Sequence, residues 1–110
     1  MAYDERLAER IRAALPDRDD VTERKMFGGI AFMIGGNMAC GIMGGDALLA
    51  RVGQDATDAA LEEPNTRPAQ MGERTMKGYV LVDADGIADA ESLQRWVDQT
   101  VDFAESLPPK

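Results

Sequence analysis

The chain has 110 residues, 45% of them apolar and 29% charged, enough for one domain over 1–110 whose core needs no disulfide or metal. A net charge of −8 repels a phosphate backbone, so direct nucleic-acid binding is not expected, and no apolar run approaches the ~20 residues that span a bilayer. With no histidine and one cysteine, the chain lacks the imidazole base of Ser-His-Asp and Cys-His catalysis, the common Cys/His zinc sets and any intrachain disulfide.

The N-terminus, Met1 to Arg6, is charged rather than apolar, so no secretion signal is read there and a cytoplasmic address is expected. Tyr3, Leu7, Ile11 and Leu15 recur at helical spacing until Pro16, which predicts a first helix. After the polar run Asp17-Arg18-Asp19-Asp20, a charged strand from Val21 or Thr22 to Phe27 suits a sheet edge. Ile30–Ile34 and Met38–Met43 flank Gly35-Gly36-Asn37, the composition of a hairpin turn with positive φ. Gly44-Gly45-Asp46 forms a second turn into a strand at Ala47–Val52, which completes a three-stranded meander.

Two-residue turns would place Ala31, Met33, Met38, Cys40, Ile42, Leu49 and Arg51 on one face of the meander. The other face would then hold Ile30, Phe32, Ile34, Ala39, Met43, Leu48, Ala50 and Val52. Both sets are apolar, so either the helices divide between the two faces or a second subunit covers one; a homodimer is the leading expectation. Asp55 is placed to cap a short helix at Ala56–Leu61, ended by Pro64. Residues 62–77 show no period, with Pro64, Pro68 and Gly72 as breakers, and read as a long loop. Tyr79–Val82 forms a last strand and Asp83-Ala84-Asp85-Gly86 a turn. A closing helix from Asp89 carries the stripe Leu93, Trp96, Val97, Thr100, Val101 and Ala104. The whole is α+β: an antiparallel sheet of about five strands, in the order α-β-β-β-β-α-β-α, with flanking helices.

Charge is unevenly spread. Residues 1–23 hold four arginines and seven acids, residues 83–110 two cations and seven acids, and the middle balances at six of each. The middle cations are therefore the site candidates: Lys25 beside Gly28-Gly29, Arg51 on a largely apolar face, and Arg67, Arg74 and Lys77 in the long loop. Arg51 needs a partner there, either a salt bridge to Glu23 or Glu73 or a bound anion. Cys40 has no charged neighbour to lower its pKa and reads as an inert strand residue. Met33, Met38 and Cys40 share a predicted face that could offer soft ligands to Cu(I), but methionine filling a core or a contact explains them better. Gly28-Gly29 precedes a strand, so it is no phosphate cradle, and Asp83-Ala84-Asp85-Gly86 lacks the spacing of a calcium loop. No cofactor and no metal site is expected.

Lys25-Met26-Phe27-Gly28-Gly29, Phe32, Gly36-Asn37-Met38, Arg51-Val52-Gly53 and Met76-Lys77-Gly78-Tyr79, with the ending Leu107-Pro108-Pro109-Lys110, resemble the TfoX N-terminal domain family in order and content. The resemblance runs from about Tyr3 to Lys110 and identifies the chain as a single-domain member. It implies an antiparallel α+β fold, and it links the chain to regulators of natural competence, which are thought to act with a transcription activator. Lys25, Arg51 and Lys77 fall within the shared motifs.

The functional expectation is a non-catalytic regulatory or protein-interaction module acting through a homodimer or a protein partner. The alternative is a small anion- or nucleotide-binding domain using Lys25, Arg51 and Lys77, with Gly28, Gly29 and Arg74 beside them. An enzyme without histidine would need another acid/base, for which Lys77 and Tyr79 are the least implausible pair.

Overall fold

The computed structural model describes residues 3–26, 28–43, 45–71 and 73–109. Phe27 at the end of the first expected strand, Gly44 of the second turn, the breaker Gly72 and the terminal Lys110 lie outside the described residues. Helix α1 spans Glu5–Ala14, opened by Asp4, whose carboxylate accepts from the Arg6 and Leu7 amides at 2.9 and 3.3 Å. Strands β1 Val21–Met26, β2 Gly29–Ile34, β3 Asn37–Ile42 and β4 Leu48–Arg51 follow, then helix α2 Gln54–Leu61. Strands β5 Thr66–Met71 and β6 Arg74–Val82 lead through a 3₁₀ turn at Ala84–Ile87 to helix α3, Ala90–Glu105.

The strands form one antiparallel sheet in the order β1-β2-β3-β4-β6-β5. The α+β reading therefore holds, with six strands in place of five. The extra strand lies in the segment expected to be a loop, where Pro68 argued against pairing. An edge position removes that objection, because a strand with one unpaired side can spare an N–H. β1 takes the other edge, as its charge suggested. The Gly35-Gly36 turn has φ of 58° and 84°, the two positive angles that match the twist of a tight hairpin. Asp55 does not cap α2: Gly53 takes that position without a side-chain bond, and Asp55 sits in the first turn.

The sheet faces differ from the expected parity at one point. Met33 pairs with Met38 but Phe32 pairs with Cys40, so Ala39 is an extra residue in β3, a β-bulge. Beyond it the alternation reverses. Cys40 and Ile42 join Ile30, Phe32, Leu48 and Ala50 in the core, and Met43 moves to the opposite side. A two-residue turn was insufficient to set the register, since the bulge adds the odd residue within the strand.

All three helices pack on the core face. Leu7 and Ile11 of α1, Ala60 of α2 and Leu93, Trp96, Val97, Val101 and Ala104 of the α3 stripe join one cluster with these strand residues, and Thr100 of that stripe is buried too. Trp96, 1% exposed, is its largest member. Asp89 opens α3 by accepting from the Ser92 amide at 3.0 Å, and this bond holds its carboxyl below the usual range. Thr66 Oγ1 donates to the Glu63 carbonyl at 2.7 Å, tying the end of α2 to β5. The C-terminal tail is tied to the first hairpin, since buried Asn37 donates Nδ2–H to the Pro108 carbonyl at 2.9 Å. Arg12 of α1 reaches across to Glu23 of β1 at 2.7 and 2.9 Å.

Two outcomes test this packing. A Gly29→Ala side chain would run into the Ile42 carbonyl across the β2–β3 pair, so urea unfolding should show a loss of about 1–3 kcal/mol; an unchanged midpoint would contradict the close approach. The hydrogen bond from Arg12 holds the Glu23 carboxyl below its ordinary value. Its contribution is therefore present above the unfolded value, about 4.3, and disappears as pH falls through the lowered folded one. Wild-type stability should drop more steeply than that of Glu23→Gln below that pH, by up to about 1 kcal/mol for so exposed a pair.

Candidate functional site

Opposite the helices, the sheet has a second face with no helix on it. Registry places Thr22 and Arg24 of β1, Ala31 and Met33 of β2, Met38 of β3, Leu49 of β4, Leu81 of β6 and Arg67 of β5 there, while Arg51, at the end of β4, carries its guanidinium to Phe103 of α3. Met38 folds across Gly41, its Cε 3.2 Å from where a β-carbon would sit, and Leu49 is buried in the same row. Met33 and Leu81 are half-buried, while Arg24 and Arg67 are exposed. Met43, just past the end of β3, is the one exposed large apolar residue among the described residues. The centre of this face is thus built from methionine and leucine, flexible and branched side chains that suit an adaptable contact.

The charge that its strands carry is of one sign. The six strands contain a single acid, Glu23, which faces α1 and is held by Arg12, against Arg24, Lys25, Arg51, Arg67, Arg74 and Lys77. Arg51 has neither expected carboxylate partner. Its guanidinium lies 5.7 Å from the Tyr79 ring centre and 5.4 Å from that of Phe103, and Nη1 donates to the Met38 carbonyl at 3.3 Å. Two aromatic faces and a carbonyl stabilise a cation by cation–π attraction and one hydrogen bond. Among the described residues no carboxylate lies within 4.0 Å of it. Phe103 falls off the apolar stripe of α3, and that off-stripe position is the one signal the sequence holds for its contact with Arg51. Arg67 Nε bonds Asp83 at 2.8 Å.

Beside this face, β6 carries a second irregularity. Pro68 pairs with Val80 and Gln70 with Thr75, so two steps along β5 oppose five along β6. The surplus residues, around Met76 to Tyr79, turn toward α2 and enclose a groove of about 420 Å³. Thr57, Asp58 and Leu61 line one wall and Pro68, Met76, Lys77 and Tyr79 the other. The structure thus brings Lys77, Tyr79 and Arg51 into one neighbourhood. Lys25 is apart from it, three strand spacings or about 14 Å from β4 and four or about 19 Å from β6 across the sheet. Arg74 begins β6 and is exposed. Gly28, with φ 76°, and Gly29 serve the turn and the close strand approach beside Lys25.

The soft-ligand set does not assemble. The bulge puts Cys40 in the core, on the opposite side of the sheet from Met33 and Met38. Burial pushes its thiol up to about 12, against a lowering hydrogen bond with Thr100, so the reactive thiolate is suppressed. Among the described residues no group of three His, Cys, Asp or Glu side chains could hold a metal, and no helix is long and apolar enough to cross a membrane.

Compared with known proteins, residues 13–104 match the family model described as TfoX N-terminal domain. Neither the curated proteins nor the solved structures contain a significant match to the chain. The placement of Cys40 yields a direct check. The folded protein should react with a thiol reagent at a small fraction of the rate seen in denaturant, and fast labelling of the native chain would contradict the burial.

Proposed function

The chain belongs to the TfoX N-terminal domain family, and from that premise we propose that it is a non-catalytic regulatory, protein-interaction module. It acts through a protein held on the helix-free face of its sheet, either a second copy or a different chain. The observation that carries this reading is the one-sided helix layer: α1, α2 and α3 share a single core, and Met33, Met38 and Leu81 remain only half-covered on the other side. An apolar, methionine-rich sheet face with a charged rim has the anatomy of a contact surface. The family's association with competence regulators, which are thought to act with a transcription activator, points the same way.

A photo-crosslinking residue at Met33, compared with one at Asp98 on the outer side of α3, tests the reading in cells. Protein adducts are expected from Met33 and few from Asp98. Equal yields, or none from Met33, would remove the helix-free face as the contact surface.

A second reading is favoured by Arg51, which has no carboxylate within 4.0 Å among the described residues and packs on Tyr79, a wall residue of the groove that Lys77 also lines. On that reading the groove takes a small anion or nucleotide, without Lys25. Titration with phosphate and nucleoside phosphates should shift the amides of residues 51 and 76–79, more weakly as salt rises. Unmoved amides at millimolar ligand would discard it.

A further inference from the structure

Resting on the interaction reading above, we infer that the helix-free face takes an acidic, amphipathic segment of another protein rather than a second copy of this chain. The argument starts from charge. Arg24 and Arg67 stand on the two edge strands, on either side of a centre formed by Met33, Met38 and Leu81, while the Arg51 guanidinium at the end of β4 is taken up by Tyr79 and Phe103. Among the described residues no strand places a carboxylate on this side, and of Arg24 and Arg67 only Arg67 has a carboxylate within 4.0 Å, that of Asp83 from the following loop. The acids that make the chain −8 overall lie in the helices and loops.

A two-fold pairing of this face with itself would set one cationic rim against the other. Like charges so juxtaposed oppose association, whereas a partner with acids flanking an apolar stripe satisfies both rim and centre. A long polyanion is a poorer occupant, because beyond the face it meets the acidic helical layer. A short segment responds mainly to charges within a Debye length, about 8 Å at physiological salt. Six strands make the sheet about 24 Å wide, the length of a helix of about 16 residues. Methionines at the centre can adjust to its side chains.

The test is selection of random peptides of about that length on the full chain, with Arg24→Glu, Arg67→Glu as the comparison target. Acidic peptides with apolar residues at helical spacing should be enriched on the wild type. They should bind the reversed variant at least about tenfold more weakly, a loss of about 1.4 kcal/mol, and weaken as salt rises. The variant should instead select basic peptides, a gain that misfolding cannot produce. No enrichment, neutral or basic winners on the wild type, or an unswitched variant would overturn the assignment. So would tighter binding of a single-stranded RNA oligonucleotide, or a dimer in sedimentation equilibrium that Met33→Asp abolishes. If the Met33 crosslinks form but acidic peptides are not selected, the contact surface stands and its charge preference falls.

Discussion

Between Met38 and Cys40, β3 contains one residue more than β2 can pair, and the chemistry of both sheet faces depends on that insertion. Without it, Cys40 and Ile42 would lie among Met33, Met38 and Leu49, and the core opposite α3 would lose two of its members. With it, Cys40 meets Thr100 of α3, and the far side of the sheet is left to methionine, leucine and arginine. A strand has a side-chain period of two, so an odd residue exchanges everything beyond it between faces. The same bulge directs the Met38 carbonyl to Arg51, whose cation is then stabilised by two rings rather than by an acid.

The bulge in β6 has a comparable local effect. Extra residues opposite Ala69 carry Lys77 and Tyr79 toward α2 and open the groove, while the Gly78 carbonyl accepts from both the Val52 and Gly53 amides at 2.8 and 3.0 Å. Those two bonds end β4 and start α2, so the strand irregularity, the helix and the groove form one unit. Charge follows the same layering. The strands carry six cations and one acid, and the other acids lie in helices and loops, with Arg12–Glu23 tying α1 to β1 and Arg18–Glu105 tying the connection before β1 to α3. Both edges are protected against further strand pairing, β1 by charge and β5 by Pro68.

Local signals made much of this fold legible: the α1 and α3 stripes, the start of α3 at Asp89, the Gly35-Gly36 hairpin and the charged edge strand. Each rests on a period or a turn preference that acts within a few residues. The family motifs agreed with the α+β class read from the elements and marked Lys25, Arg51 and Lys77. β5 was not legible, because Pro68 is unfavourable in a strand until an edge position is known. Neither bulge announces itself in composition, so the destination of Cys40 and the meeting of Lys77 with α2 were also hidden. By itself, then, the chain determined its helices, its hairpin and the poverty of its strands in acid. Tertiary structure alone decided that every helix lies on one side, that Arg51 rests on Tyr79 and Phe103, and which apolar residues remain uncovered. The physical reason is that strand register and layer packing are settled by contacts between residues far apart in the chain, which no local pattern encodes.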